Sequence, residues 1–515
     1  MRLAVVDLGS NSFHLAVVDV DSVDSFIPVT RYKEMLGLGA VVARHGLIPM
    51  AEGDRAAQTF RRLVALARHA GADTILACAT AAIRQATNGP QLIAAMAAES
   101  GVDIQILSGD DEARLIFGAV VASIRVDEDP VVCLDVGGGS LEVAVGGSHG
   151  APYLASIDAG AARLSATHIL NDPPRPVEIE AVRARVDQAL EPVVAASSSI
   201  QPTMAVGTGG VVRDLARLVA SRRSGSVGSI NQLRISIEEL GNLAAELATM
   251  TTAERARLPG IERARAKVAP VGAAMLVTAM DAFGVSELTI ARWGLREGLI
   301  LEHLGLILGD ANGSKSQPDP RSASVEHMVR RFSTSPGRNE RLAAMADHLF
   351  VVTAPVHGLG AEDRRLLGFG GLLADVGRHV STRSSHKHGA YLVEHGSLRG
   401  FDPEEVAILA TLVRYHRGGE PSATSAGLVE LSPDRRRRTL ALCALLRLSH
   451  HLVQCHLDAA TVHIALAGNR RTVEVRDLGH PDNRLVSTAG HDLFEKVFAW
   501  NVEFAPSAPP AVLTL

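Results

Sequence analysis

The sequence contains its own repeat. Asp7-Leu-Gly-Ser-Asn-Ser12 follows the apolar run Leu3-Ala-Val-Val6 and precedes the alternating run Phe13-His-Leu-Ala-Val17. Some 128 residues later Asp135-Val-Gly-Gly-Gly-Ser140 follows Val131-Val-Cys-Leu134 and precedes Leu141-Glu-Val-Ala-Val145. Asp7/Asp135, Gly9/Gly137, Ser12/Ser140, Ala16/Ala144 and Val17/Val145 are identical at matching offsets. A duplication constrains the fold before any single element does, because both copies have to form the same supersecondary unit. The unit is a hairpin whose turn is glycine-rich, and glycines without Cβ let several backbone N–H groups approach one anion. A carboxylate at the strand end cannot hold a phosphate, since like charges repel, but it can hold a divalent cation or a water that does. Two such hairpins describe a phosphate cleft between two similar domains.

The flanking patterns repeat as well. In residues 1–122, strands are expected at 2–8, 13–20 and 26–32, a helix at 52–69, a strand at 74–78, helical segments to 100, a strand at 103–107 and a helix opened by Ser108-Gly-Asp-Asp-Glu112. Residues 123–308 show strands at 130–136, 140–146 and 152–158, helices at 161–196 broken at Asp172-Pro-Pro, and a strand at 204–206 feeding Gly207-Thr-Gly-Gly210. A long helix around 261–284, a strand at 287–290 and a helix at 295–308 follow. Both halves read βββαβαβα, an α/β class with sheets covered by helices and ligand crevices at strand carboxyl ends. Residues 309–323 read as a linker, dense in turn formers. Residues 324–450 read as a mainly helical domain, and 451–515 as a small α/β segment with alternating runs in 461–475 and a frayed proline-rich end.

Composition narrows the function classes. At 515 residues the chain fits several domains. Lys+Arg 51 against Asp+Glu 56 gives a net charge of −5, so nothing general favours nucleic acid or an anionic membrane, and an anionic substrate needs a local basic site or a metal. Cys78, Cys133, Cys443 and Cys455 lack C-x-x-C spacing and read as reduced core thiols of a cytoplasmic protein. Asp7 interrupts the N-terminal apolar run, which argues against a signal peptide. The longest uncharged run, 268–280, is shorter than the ~20 residues of a membrane span.

Three further features bear on chemistry. Glu112 begins a helix just after a strand of the first half. Acidic residues there stabilise the helix dipole, which suffices for Asp110 and Asp111, but a carboxylate at such a corner also faces the other half's loop and suits a base for water. Arg84, in Ala81-Ala-Ile-Arg-Gln85, is either a bidentate phosphate clamp or a solvated arginine at a helix start. Gly207, Thr208 and Gly209 form either a third anion-binding turn or a close strand–helix packing point.

Taken together, Asp7-Leu-Gly-Ser-Asn-Ser-Phe-His14, Ile83-Arg-Gln85, Ser108-Gly-Asp-Asp-Glu-Ala-Arg-Leu-Ile116, Asp135-Val-Gly-Gly-Gly-Ser140, Gly207-Thr-Gly-Gly210 and Gly294-Leu-Arg-Glu-Gly298 resemble the exopolyphosphatase and guanosine pentaphosphate phosphatase (Ppx/GppA) family. The resemblance covers essentially the whole chain. It implies duplicated actin-like domains of the sugar kinase and Hsp70 ATPase superfamily, followed by a helical HD-like extension. It also implies a hydrolase that releases terminal phosphate from inorganic polyphosphate or from pppGpp. An ATP-dependent kinase or chaperone-like ATPase, and a non-catalytic sensor, stay open as rivals.

The same resemblance makes Glu112 the residue that activates water, Arg84 a phosphate contact and Asp135 the partner of Mg²⁺ together with Glu112, leaving a monovalent cation such as K⁺ open. Gly9, Ser10, Asn11 and Ser12, with Asp7 beside them, form the first phosphate loop, and Gly137, Gly138, Gly139 and Ser140 the second. A homodimer through the C-terminal parts is also implied.

Two departures stand out. The family's Ser-Asp-x-Gly is replaced by Ala291-Arg-Trp293-Gly294, which adds a cation and a bulky ring near the cleft. In the extension, Ala374-Asp375 stands where an HD site needs His-Asp, and His450 stands for the closing aspartate, so a degenerate metal site is expected. His386, Lys387, His388, Arg414 and Arg417 are candidates for a polyanion channel. The run Arg435-Arg-Arg-Arg438 fits a solvated helix start after Ser432-Pro433.

Overall fold

Strand β1 (Arg2–Leu8) alternates between two cores, which is what period-2 side chains on a strand covered on both faces must do. Ala4, Val6 and Leu8 pack with Phe60, Leu63 and Val64 of the helix Met50–His69, while Leu3 and Val5 pack with Leu299 and Ile300 from far along the chain. The computed structural model describes all residues except 23–24, 127–128, 148–149, 225–228, 307–318, 397, 423–424, 426, 430, 468, 478–490 and 505–515. They form two compact units, Met1–Pro320 and Arg321–Leu515.

The first unit holds two related sheets. With β2 (Ser12–Ser22), β3 (Ser25–Met35), β4 (Thr74–Ala79) and β5 (Ile104–Ile106), β1 forms a sheet of order β3-β2-β1-β4-β5. β1, β2 and β3 are antiparallel neighbours, and β4 and β5 continue parallel to β1. The second sheet contains β6 (Val131–Val136), β7 (Leu141–Gly147), β8 (Gly150–Ile157), β9 (Met204–Thr208), β10 (Arg234–Ser236) and β11 (Glu287–Ile290). Its order, β10-β11-β9-β6-β7-β8, reproduces the first sheet strand for strand, with the antiparallel β10 added at one edge. The expected duplication is thus a duplication of topology.

The two halves exchange their last helices. Helix Gly109–Val121, at the end of the first half, lays Ile116, Phe117, Val120 and Val121 against Val131 and Cys133 of β6. Helix Leu295–His303, at the end of the second half, covers β1. The backbones meet closely: a Cβ on Gly298 would lie 2.3 Å from the carbonyl oxygen of Leu115. A division at residue 122/123 therefore follows the chain but not the cores, because one face of each sheet is closed by the other half's last helix.

Several boundaries differ from the sequence expectation. The helix expected over 261–284 begins only at Ala269, after a short 3₁₀ turn Arg263–Arg265, because Pro270 sits at a helix start rather than inside one. The last helix ends at His303 rather than 308. Residues 320–323, assigned to the linker, are the first turn of helix Pro320–Phe332, and 309–318 lie outside the described residues, as does the proline-rich end.

In the second unit, helices from Pro320 to Gln454 surround one core. β12 (Val462–Ala467), β13 (Thr472–Asp477) and β14 (Asn501–Phe504) add a small sheet whose Val462, Val473, Val475 and Val502 enter that same core, so this sheet shares the core of the helices. Cys78, Cys133 and Cys443 are buried free thiols and Cys455 is half-buried. Among the described residues no helix is long and apolar enough to cross a membrane.

Candidate active site

The two glycine turns meet. A Cβ on Gly139 would lie 2.4 Å from Ser10 Oγ, and one on Gly138 would lie 3.1 Å from Asn11 Cβ, so the second loop fits against the first only because it has no side chains there. Each turn has its carbonyls tied from outside. Leu36 and Gly37 N–H donate to Asn11 O (3.0 and 2.9 Å) and Gly39 N–H to Ser10 O (2.6 Å). In the second half, Ala161 N–H donates to Gly137 O (2.9 Å), Ala162 N–H to Gly138 O (3.0 Å) and Gly160 N–H to Gly139 O (3.1 Å). A planar trans peptide points its N–H opposite its C=O. Fixing these carbonyls outward therefore turns the N–H groups of Asn11, Ser12, Gly138, Gly139 and Ser140 to the other side, and these residues line a cleft of about 190 Å³.

The floor of the cleft is acidic. Asp7 and Asp135 end β1 and β6, Glu112 enters from the first turn of its helix, and Glu142 sits on β7. Burial pushes the Glu112 carboxyl up to about 7; Arg84 opposes this, and Asp7 and Asp135 reinforce it. Burial likewise raises Asp7 to about 6 against the pull of Arg296. It raises Asp135 against Arg213 and Arg296, and raises Glu142 further in the company of Glu112 and Asp135. Four carboxyl groups held above their ordinary range in one cleft favour a proton or a cation among them.

Cations share the lining with these carboxyl groups. Lys33, Arg213, Arg265 and Arg296 line the cleft, together with His14. Burial and these four cations push His14 down to about 2, so the ring is neutral; its Nε2 lies 2.8 Å from Ser12 Oγ. Burial and Arg296 lower Arg213 to about 10, and it stays charged at neutral pH. Arg265 is aimed by a bidentate pair to the buried Asp214, at 2.8 and 2.7 Å.

Two expected site residues take other places. Arg84 is absent from the cleft lining. Its guanidinium donates to Glu112 Oε2 (2.8 Å), Leu107 O (2.9 Å) and Ser156 Oγ (3.3 Å), and Ser156 in turn donates to Glu142 Oε1 (2.9 Å). In this structure it positions the acidic floor through Glu112 and Ser156. Gly207 packs against Val212 and Leu288, the strand–helix packing alternative, while Thr208 and Gly209 do line the cleft. Trp293 also turns from the cleft, stacked on Phe26 with centroids 4.9 Å apart, and its carbonyl accepts from Thr208 Oγ1.

The residues that motif reading missed were marked by the repeat. Asp7 pairs with His14 and Asp135 with Glu142 in the same hairpin register, so His14 and Glu142 occupy one repeat position and both reach the cleft. Carrying the duplication through the second strand would have found both. The four cations come from separate elements, and no local signal marks their convergence.

Oxygen donors of this kind suit a hard cation such as Mg²⁺. Among the described residues no group of three ligand side chains converges on one point, so a cation there would take one or two carboxylates and complete its shell from water and phosphate.

In the second unit, His386, Lys387, His388, Arg414 and Arg417 do come together, with the neighbouring charges adding to burial in lowering His386. Arg417 donates to Ser385 Oγ (2.8 Å), Tyr391 stacks on His395 and Tyr415 bonds Ser425. Asp375 is held by Arg338 and Arg378, each at 2.9 Å. The arginine run opens helix Pro433–Gln454 and is ion-paired: Arg435 to Glu404 (3.1 Å), Arg437 to Asp434, and Arg438 to Asp434 (2.8 Å).

If Arg84 acts through Glu112, replacing it moves a titration. Arg84 holds the raised Glu112 pKa down, so Arg84→Gln should shift the acidic limb of the kcat–pH profile to higher pH than in the unsubstituted protein. A bound cation draws the limb down in both proteins, leaving the difference readable. An unmoved limb would show that Glu112 does not depend on this contact.

Comparison with known proteins gives one consistent result. Residues 16–306 match the Ppx/GppA phosphatase family, and residues 321–476 match Ppx/GppA phosphatase, domain III. The chain is 33% identical over 337 residues to a Mycobacterium tuberculosis protein named exopolyphosphatase 1, spanning 65% of this chain and 96% of that one. Among solved structures, an exopolyphosphatase from Cytophaga hutchinsonii aligns with TM-score 0.56 at 25% identity, covering 60% of this chain and all of the other. An Aquifex aeolicus Ppx/GppA family member shares the fold, with TM-score 0.52 at 22% identity over 60% of this chain and 99% of that one.

Proposed function

The chain belongs to the Ppx/GppA phosphatase family, a family of hydrolases, and from that premise we propose that its substrate is inorganic polyphosphate, shortened from the end by attack of water on the terminal phosphoryl group. One observation carries the reading. A buried carboxyl raised to about 7, Glu112, shares a cleft with two glycine turns and four cations. Phosphoryl transfer needs positioning and charge neutralisation more than covalent help, and this cleft supplies both.

The turn amides and Arg213, Arg265 and Arg296 bind the terminal phosphoryl oxygens. Glu112, aimed by Arg84, orients a water and accepts its proton as the new P–O bond forms; the anhydride P–O bond breaks and its electron pair stays with the shortened chain. Asp135 and Glu112, with Glu142 beside them, would hold Mg²⁺, which when bound offsets charge on the phosphoryl oxygens. Two copies joined through their C-terminal parts, acting in the cytoplasm, complete the proposal.

Phosphate release from long-chain polyphosphate and from pppGpp, each with Mg²⁺ and after chelation, tests it. Polyphosphate is expected to show the higher kcat/KM and chelation to abolish release from either. Equal specificity constants would defeat the choice of polyphosphate, and undiminished release in chelator would defeat the cation.

A further inference from the structure

Four buried polar atoms without a hydrogen bond meet at the degenerate metal site of the second unit. Among the described residues, Arg338 Nη2, Asp375 Oδ2, His416 Nε2 and His450 Nε2 have no such partner. Buried polar groups are normally bonded, so a cluster of this kind points to a ligand.

Contacts tie the four residues together. Arg338 Nε stands 2.9 Å from Asp375 Oδ2, a charge contact without a directed hydrogen bond, and Arg378 Nε donates to Asp375 Oδ1 at 2.9 Å. The rings of His416 and His450 meet edge-on with centroids 4.8 Å apart. Asp375 acts electrostatically on His416, and Arg338 and Arg378 act on His450. His416, Asp375 and His450 are closed to solvent, at 0%, 2% and 4% exposure. Arg338 and Arg378, each 28% exposed, carry the cluster to the surface.

A metal ion does not fit these residues. Ala374 supplies no ligand where an HD site needs histidine, no three ligand side chains converge among the described residues, and Asp375 already faces two guanidinium groups. Arg417, which donates to Ser385, is a third guanidinium acting on both histidines, and His386 acts on His416. The surroundings are positive on balance.

The unpartnered atoms are nevertheless of both kinds. Burial holds His416 down to about 4 against Val413 and Asp375, and burial with the neighbouring charges holds His450 at about 2, so both rings are neutral. A carbonyl only accepts, so His416 Nδ1–H donates to Val413 O (2.7 Å) and its Nε2 carries a lone pair. Arg338 Nη2 can only donate; His416 Nε2 and Asp375 Oδ2 can only accept. A fully deprotonated anion would serve the donor alone, and a metal ion the acceptors alone. Water serves both but leaves the surplus positive charge unbalanced.

We propose that Arg338, Asp375, His416 and His450 form a binding site for inorganic phosphate in its singly protonated form, whose oxygens accept from Arg338 and whose P–OH donates to His416 or Asp375. The position of an HD cation is then an oxyanion site, with the sign of its ligand reversed. It lies wholly within the second unit and does not rest on the polyphosphate reading above.

The test titrates inorganic phosphate, sulfate and glycerol phosphate into the full chain by calorimetry at about pH 7.5, where sulfate and the monoester are chiefly dianions with no hydroxyl to donate. Phosphate should bind about tenfold more tightly than either, since they leave the buried acceptors unpaired. Arg338→Gln should weaken phosphate about tenfold. His416→Phe keeps a ring and removes the acceptor, so phosphate should fall to the affinity of sulfate. Phosphate held in the cleft of the first unit is separated by Arg213→Gln, which should leave the second-unit affinity unchanged. Phosphate binding that is lost in Arg213→Gln and kept in Arg338→Gln would overturn the site, as would sulfate or glycerol phosphate binding as tightly as phosphate. If His416→Phe fails to fold, Arg338→Gln at its partly exposed position still decides: unweakened phosphate refutes the site.

Discussion

Glu112→Gln lowers phosphate release on the order of 10³-fold with substrate affinity kept within a few-fold, the outcome expected when a general base loses its proton-accepting oxygen but not its shape. Gln still offers an oxygen to the Arg84 guanidinium, now 2.8 Å from Glu112 Oε2, so the loop and helix start keep their positions. The charge change favours folding: Glu112 is crowded by Asp7, Asp135 and Glu142, and removing one of four buried carboxyl groups relieves them. The melting temperature of the variant should therefore equal or exceed that of the parent, which separates lost chemistry from lost structure. Phosphate release that survives the substitution would assign Glu112 to scaffolding and put the water-activating group elsewhere in the cleft.

The second large effect comes from a residue that touches no substrate. Gly160 precedes helix Ala161–His168, and a Cβ there would stand 2.4 Å from Gly138 C, Gly139 C and Ser140 N. All three are backbone atoms, so no side chain can swing aside, and the second turn itself has to move. Gly160→Ala is expected to lower stability by about 1–3 kcal/mol, the range for overpacking. It should also cost roughly 10²-fold in kcat/KM, because a displacement near 1 Å in a positioning loop is enough for that.

The comparison is Gly241→Ala, inside helix Ile237–Thr249 with open space around its missing Cβ; there the lost backbone entropy dominates and about 0.5–1 kcal/mol of stability is gained. Should Gly160→Ala retain full activity, the turn would not be the rigid cradle described above.

Much of this was legible in the chain. The two Asp-x-Gly turns, their flanking strands and Glu112 at a strand-to-helix corner were readable because they are local: a strand ending in a tight turn needs a period-2 apolar run and glycines, and both are written in consecutive residues. Arg84 shows the limit. Its position after β4 was readable, but which of its neighbours it would meet was not, since Leu107, Glu112 and Ser156 lie 23 to 72 residues away. The same holds for β10, an edge strand of three residues too short to carry a period.

What the sequence alone determined is the duplication, and with it the α/β class, the paired turns and the acidic residues that stand at strand ends. What the tertiary structure decided is everything that needs two distant segments at once. Helices Gly109–Val121 and Leu295–His303 trade sheets because each half leaves one sheet face apolar, and only the other half's last helix is in reach of it. Lys33, Arg213, Arg265 and Arg296 come to share one cleft lining through that closure. Charge acts through space at a few ångströms, and chain order carries no record of which residues will share that distance.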